Sequence, residues 1–130
     1  MLRVINFDIQ STDLNKTINF YTALFNWKFN KLEGSEPEYY VITTGDSTEP
    51  GINGGLLKRT GPKPIDDAST NSFVCTIQVD KIDNYIKKVI ELQGNIVVPK
   101  YAIGNLGFLC YAKDTDGNIF GIMEAINKSH

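Results

Sequence analysis

Histidine is almost absent from this chain, which has a single one, His130, at its last position. Cysteine is scarce as well, and neither Cys75 nor Cys110 has a CxxC spacing or an adjacent cationic side chain. These absences argue against a zinc site built from histidine and clustered cysteine, and against a catalytic thiolate. We expect two buried free thiols, unless the strands that carry them lie side by side and allow a disulfide.

Long apolar runs and a concentrated basic face are missing too. The longest apolar stretches, such as residues 108–112, are far too short to cross a bilayer. The 13 Lys and Arg residues form no long run, and the net charge is −2. The amino terminus turns polar too early for a signal peptide. We therefore expect a cytoplasmic protein with no membrane partner and no nucleic-acid partner.

Two amphipathic helices are predicted, because apolar residues recur at every third or fourth position in two segments. Their apolar stripes are Leu14, Ile18, Tyr21 and Phe25, and Ile82, Ile86 and Val89. Thr12 or Asp13 can cap the first helix, while Asp80 is the expected cap of the second and Gly94 its end. Each helix follows one strand-like run and precedes three others. The predicted strands cover residues 2–10, 27–31, 39–43 and 52–57, and then 73–79, 95–98, 108–112 and 119–124.

The two halves of the chain repeat one pattern. An offset of 68 residues places Ile9 on Ile77 and residues 40–41 on residues 108–109. Near the end of each half the offset becomes 66, which places Gly55 on Gly121. The repeat predicts an α+β fold of two tandem βαβββ modules related by a pseudo-twofold axis. The modules cover about 2–58 and 72–126, and the Pro- and Gly-rich segment 59–71 links them.

Four local motifs follow one another along the chain, at residues 20–27, 53–57, 79–83 and 114–120. Together with the tandem modules they resemble the vicinal oxygen chelate superfamily of glyoxalases, bleomycin-resistance proteins and dioxygenases. The resemblance implies half-barrel modules whose concave faces form a pocket for a small molecule. It also implies a homodimer, and in many members a divalent metal held by His and Glu on the first and last strands.

The positions of those metal ligands carry other residues here. By the resemblance they fall on Asn6 and Val74 in the first strands and on Gly121 in the last strand. The internal repeat adds Gly55. One amide, one apolar side chain and two glycines offer no ligand set to an ion such as Zn²⁺. We expect no metal and no other cofactor, and we expect the glycines to leave free volume for an organic ligand.

The acidic segment 114–118 is expected to form a hairpin turn. A calcium-binding loop would need a glutamate 11 residues after Asp114, and Ala125 stands there. Asp, Gly and Asn are the residues that tight turns require.

Alternation along the first strand places Asn6, Asp8 and Gln10 on one face, opposite Phe7 and Ile9. Because burying the polar face against hydrocarbon would be costly, we expect it to line the pocket. Aromatic side chains such as Tyr39 could form the walls, although packing in the core is the stronger interpretation for each. The predicted ligand-binding residues are Asn6, Asp8, Trp27, Tyr40, Asn53, Gly55, Val74, Thr76, Tyr101, Phe108 and Gly121.

Asp8 and Glu124 are the candidate catalytic residues. Burial beside Asn6 is expected to raise the pKa of Asp8 and make it a general base, whereas a structural carboxylate bonded to backbone donors or Arg3 is the alternative. Glu124 lies three positions after Gly121, so alternation points it to the opposite face unless a bulge turns it inward. A solvated rim residue is the preferred interpretation of Glu124.

Two classes of function follow from these residues. The first is a metal-free protein that binds a polar small organic molecule. The alternative is a lyase, isomerase or dioxygenase-type enzyme, either with Asp8 or Glu124 as base or with atypical metal ligands. A domain that serves as an interaction or regulatory partner is a third possibility.

Overall fold

The computed structural model describes residues 2–64 and 73–126. It divides into two compact units, Met1–Lys63 and Pro64–His130. Part of the predicted linker, residues 65–71, lies outside the described residues, as does His130. Unit 1 contains β1 (Phe7–Ser11), α1 (Leu14–Phe25), β2 (Lys28–Lys31), β3 (Tyr39–Thr43) and β4 (Gly54–Lys58). Unit 2 contains β5 (Thr76–Val79), α2 (Ile82–Glu91), β6 (Asn95–Ile103), β7 (Gly107–Lys113) and β8 (Ile119–Ala125).

Each unit has the predicted βαβββ order and one four-stranded mixed sheet. The strand order is β1-β4-β3-β2 in unit 1 and β5-β8-β7-β6 in unit 2. The first and last strands of each unit are parallel neighbours, and the remaining pairs are antiparallel. The predicted α+β class is confirmed. Within the described residues, neither helix is long and apolar enough to cross a membrane.

Helix α1 begins and ends at local signals. The Asp13 side chain accepts a hydrogen bond from the Lys16 backbone N–H, and the chain leaves the helix at Asn26 with a left-handed φ of 60°. The most buried helical positions are Thr17, Phe20, Tyr21 and Leu24, so the buried face is rotated from the predicted stripe. Thr17 can lie inside because its hydroxyl donates to the Ser11 hydroxyl oxygen at 2.6 Å.

Two strands, β1 and β6, differ most from their predicted bounds, and β5 starts at Thr76 rather than at residue 73. β1 starts at Phe7 rather than at residue 2, and the side chains before it are exposed. β6 extends past Pro99 to Ile103, with register shifts between Ile96 and Val98 and between Val98 and Tyr101. A proline and irregular pairing are tolerated because β6 lies at the edge of its sheet.

One face of each sheet packs against the helix, and we call the other the open face of the unit. In unit 1, Leu56 and Ile42 are fully buried on the helix side, and their register partners place Phe7 and Ile9 on the same side. Asp8 and Gln10 are exposed on the open face, as alternation predicts.

The register corrects one part of the internal repeat. Gly55 lies between Asp8 of β1 and Val41 of β3, whereas Gly121 lies between Thr76 of β5 and Tyr111 of β7. Tyr111 is therefore the counterpart of Val41, and it follows Val41 by 70 positions rather than the predicted 68. Because side chains alternate with a period of two, this displacement leaves every face unchanged.

Both cysteines are free. Cys110 is buried in β7, but Cys75 is exposed, which contradicts the expectation of two buried thiols. A disulfide between them is not formed, since β8 separates β7 from β5 in the sheet of unit 2.

Helix α2 receives its cap from a distant strand. Its N-cap residue is Lys81 rather than the predicted Asp80, and Lys81 makes no capping hydrogen bond through its side chain. The Glu124 Oε1 atom accepts instead from the backbone N–H of Ile82, at 2.9 Å. A carboxylate at this end of a helix also interacts favourably with the helix dipole.

Replacing Glu124 with Ala should lower the free energy of unfolding by about 1 kcal/mol, as the loss of a cap does. Glu124→Gln keeps an oxygen acceptor and should lose less. The matched control is Glu91→Ala at the exposed end of α2, where no decrease is expected. Urea denaturation measures all three variants. A Glu124→Ala protein as stable as the parent would contradict the capping role.

Candidate functional site

Three polar side chains meet at one point on the open face of unit 1. The Tyr39 hydroxyl donates to the Asp8 Oδ1 atom at 2.9 Å. The Asn6 amide donates to the same oxygen at 3.2 Å and to the backbone carbonyl of Phe7 at 3.2 Å. Asn6 and Asp8 are exposed and Tyr39 is half-buried. We call Asn6, Asp8 and Tyr39 the carboxylate–phenol cluster.

Gly55 provides the space in which this cluster forms. The parallel register of β1 and β4 places Asp8 beside Gly55, and β3 supplies Tyr39 from the other side. A Cβ atom at Gly55 would overlap the Tyr39 hydroxyl and its ring carbon, and would lie 2.8 Å from the Asp8 Oδ1 atom. The expectation of free volume above Gly55 is therefore wrong, because the Tyr39 side chain fills it.

The surroundings keep the Tyr39 hydroxyl protonated. Burial raises the pKa of Tyr39, and the hydrogen bond to Asp8 and the charge of Asp8 raise it further, against a smaller opposing effect of Asn6. Tyr39 thus remains a hydrogen-bond donor to Asp8 at neutral pH. Asp8 itself is exposed, so the burial that was expected to activate it as a base is absent.

On the open face of unit 2, the corresponding glycine also lies under other side chains. A Cβ atom at Gly121 would lie 2.7 Å from the Thr76 hydroxyl oxygen and 3.3 Å from a ring carbon of Tyr111. The expected free volume is therefore not found above Gly121 either. Burial raises the pKa of Tyr101, and its interaction with Tyr111 raises it further. Unit 2 thus has a pair of tyrosines where unit 1 has a carboxylate.

Several predicted ligand-binding residues lie away from the open faces. Trp27 is 8% exposed, and its ring packs in the core of unit 1 at 5.1 Å from Tyr21. Tyr40 lies on the helix side of its sheet, and its hydroxyl donates to Glu38 at 3.1 Å. The structure does not bring either residue to the carboxylate–phenol cluster.

The remaining predicted residues have other partners. Phe108 lies on the helix side of unit 2, where the Lys100 ammonium is 5.1 Å from its ring centre. The Asn53 side chain accepts the backbone N–H of Thr44 at 2.9 Å and holds a loop. Val74 is half-buried and precedes β5.

Glu124 is not on an open face. It lies on the helix side of β8, as alternation predicts, and its carboxylate is bonded to the end of α2 rather than solvated at a rim. This position offers no route by which Glu124 could act on a molecule at the open face of unit 2.

The residues at the family's metal-ligand positions do not fit a divalent ion. In unit 1 they are Asn6, whose amide hydrogens are donated to Asp8 and Phe7, and Gly55, which lies under Tyr39. In unit 2 they are Val74 and Gly121, and neither has a donor atom in a side chain. Across residues 2–64 and 73–126, no group of three or more His, Cys, Asp or Glu side chains could hold a metal ion.

The segment after β7 is the hairpin turn that the sequence predicts. The Asp114 Oδ1 atom accepts the backbone N–H groups of Asp116 at 2.8 Å and Asn118 at 3.0 Å. Its Oδ2 atom accepts the Asn118 side-chain amide at 3.1 Å. The Asp114 carboxylate is buried, and its oxygens accept hydrogen bonds from the turn itself. The acidic residue in this segment is therefore explained by the turn and not by a bound cation.

Gly55→Ala should separate Tyr39 from Asp8, because the added methyl group occupies the position of the phenol. The pKa of Tyr39, which is raised in the parent, should then fall toward the ordinary tyrosine value. Titration of the tyrosine ring signals by NMR measures this change. Gly61→Ala is the control, since a Cβ atom at Gly61 meets nothing within 4 Å. An unchanged Tyr39 titration in Gly55→Ala would contradict the geometry.

Solved structures with the same fold include a glyoxalase family protein from Bacillus cereus. It is 19% identical, with a TM-score of 0.76, and the match covers 98% of this chain and 96% of that one. A second is a mutant of the fosfomycin resistance protein FosX from Listeria monocytogenes, in complex with Mn(II) and 1S,2S-dihydroxypropylphosphonic acid. It is 18% identical, with a TM-score of 0.69, and the match covers 95% of this chain and 90% of that one.

Among curated proteins, the chain is 27% identical over 122 residues to CFP32, a proposed glyoxylase of Mycobacterium bovis and Mycobacterium tuberculosis. The match covers 91% of this chain but 44% of CFP32, so the chain spans less than half the length of that relative. The model of the glyoxalase, bleomycin-resistance protein and dioxygenase superfamily matches residues 3–122. The chain therefore belongs to the glyoxalase/bleomycin resistance protein/dioxygenase superfamily.

Proposed function

We propose that this protein binds a polar small organic molecule at the open face of unit 1 and needs no divalent metal to do so. The observation that carries the proposal is the carboxylate–phenol cluster, an exposed hydrogen-bonded group formed around Gly55. A network made only for stability would normally be buried, because exposed polar pairs contribute little to stability.

The cluster is organised before any ligand arrives. The Tyr39 side chain is fixed by its hydrogen bond to Asp8 and by its packing over Gly55. Little side-chain conformational entropy therefore remains to be lost when a ligand binds. Val41 and Leu57 share the open face with Tyr39 and supply apolar surface beside the polar group. Sites for organic molecules typically combine apolar walls with a few fixed polar groups.

The comparisons support the small-molecule part of the proposal. FosX from Listeria monocytogenes has the same fold and is described in complex with a small polar organic acid and Mn(II). For this chain we propose binding without the ion, because its own residues at the ligand positions lack suitable donor atoms.

A second candidate is an enzyme of the lyase, isomerase or dioxygenase type. It is favoured by the direct contact between the Asp8 carboxylate and the Tyr39 hydroxyl, since such a pair could move a proton at a bound substrate. Asp8 would be the base in this case. Chemical conversion of a ligand that stabilises the protein, lost in Asp8→Asn while binding persists, would identify the enzyme.

Ligand binding should raise the melting temperature of the parent protein when it is screened against a metabolite library. Asp8→Asn should weaken the affinity for an active compound by about tenfold, or about 1.4 kcal/mol, and Tyr39→Phe should weaken it measurably but less. Tyr40→Phe is the matched control, because Tyr40 is the next residue on β3 and lies on the opposite face. Equal responses from Tyr39→Phe and Tyr40→Phe would show that the cluster is not part of the binding site.

Elemental analysis after incubation with zinc, nickel, iron or manganese salts should find no stoichiometric metal on the protein, because Asn6 and Gly55 provide no ligand set. The ligand-induced rise in melting temperature should persist in a chelator. One equivalent of metal that is lost in Asn6→Ala would overturn the metal-free proposal.

We also propose that the chain forms a homodimer. Each unit's sheet ends in strands, β1 and β2 or β5 and β6, whose outer edges suit pairing with another chain. Sedimentation at micromolar concentration should give twice the 14.5 kDa mass of one chain. A monomer at that concentration would contradict this assembly.

A further inference from the structure

Every proton that the carboxylate–phenol cluster can donate is already used within the protein. The single hydroxyl proton of Tyr39 goes to the Asp8 Oδ1 atom. An asparagine amide has two protons, and those of Asn6 are directed to the same oxygen and to the Phe7 carbonyl. The Asp8 carboxylate has none to give when it is ionised.

The cluster can therefore offer only hydrogen-bond acceptors to a ligand. The hydroxyl oxygen of Tyr39 and the amide oxygen of Asn6 each keep lone pairs. The Asp8 Oδ2 atom accepts no hydrogen bond from any of the described residues. A carboxylate or phosphonate group brought to this face would meet lone pairs and a negative charge, whereas a group rich in N–H donors would meet suitable partners.

Among the described residues, Asp8 forms no ion pair. Lys31 pairs with Glu38, and the Arg59 guanidinium donates to the backbone carbonyl of Gln10 at 2.9 Å. Lys28 shares the open face, but it lies on β2, at the opposite edge of the sheet from β1. Three strand spacings separate those edges, about 14 Å, which exceeds the screening length of about 8 Å at physiological salt.

We infer that the open face of unit 1 selects organic cations, molecules that join an ammonium, amidinium or guanidinium group to an apolar body. The cationic group would donate to the Asp8 Oδ2 atom and to the Tyr39 hydroxyl oxygen, while the body would lie along Val41 and Leu57. This inference rests on the proposed function and adds the chemical class of the ligand.

Three probes of one shape test the charge requirement: benzamidinium, benzamide and benzoate. Each joins a planar cationic, neutral or anionic group to the same ring. Titration into the ¹⁵N-labelled 130-residue chain, followed by NMR, should show benzamidinium perturbing the backbone amides of Asp8, Tyr39 and Gly55. Its affinity should exceed that of benzamide at least tenfold, and benzoate should leave these three amides unchanged.

Two variants locate the contact. Asp8→Asn should reduce the affinity for benzamidinium at least tenfold, and Tyr39→Phe should reduce it less, since the carboxylate remains. Tyr40→Phe should bind as the parent does. The same spectra report whether each variant is folded, and Tyr39→Phe serves as the independent variant if Asp8→Asn is not.

The outcomes separate this inference from the proposed function. Benzamide or benzoate binding at these residues as tightly as benzamidinium would overturn the cation class and leave the binding site standing. Benzamidinium affinity that is unaffected in Asp8→Asn would also overturn it. If none of the probes binds, the inference that the ligand is a cation is wrong. The proposed function is wrong as well only if neutral and anionic metabolites also fail to stabilise the protein.

Discussion

The parallel pairing of the first and last strands in each unit is the constraint on which the rest of the structure depends. It places Asp8 beside Gly55 in unit 1 and Thr76 beside Gly121 in unit 2, although these residues are far apart in the sequence. Parallel neighbours need a long connection, and here the helix and two further strands provide it. The helix covers one face of each sheet and leaves the other face open.

One backbone arrangement therefore carries two different chemical surfaces. Each last strand contains a glycine beside the first strand of its unit, and a tyrosine lies close to that glycine: Tyr39 in unit 1 and Tyr111 in unit 2. In unit 1 the tyrosine is bonded to an aspartate, whereas in unit 2 it interacts with another tyrosine, Tyr101. The internal repeat thus preserves the scaffold, while a carboxylate lies beside the glycine in unit 1 and a threonine lies there in unit 2.

The sequence was sufficient to predict the order of the elements and the two faces of β1, since both follow from local periodicity. The polar face of β1 and the hairpin turn at Asp114 were predictable from such local patterns. It was not sufficient to choose Tyr39 over Tyr40, because that choice depends on the register between β3 and β4, which no local pattern encodes. Gly55 was interpreted as free space for a related reason: a missing side chain does not reveal which neighbour enters its place. The partner of Glu124 lies 42 positions away, so its capping role also required the structure.

The contact between Tyr39 and Gly55 also constrains how this protein could change over generations. A larger side chain at position 55, such as glutamate or histidine, would displace the Tyr39 phenol from that volume. Displacing the phenol gives up its hydrogen bond to Asp8, and a smaller residue at position 39 gives it up as well. The two positions are thus epistatic, and the order of substitutions matters. A lineage that has acquired both residues can enlarge residue 55 only by giving up the carboxylate–phenol cluster.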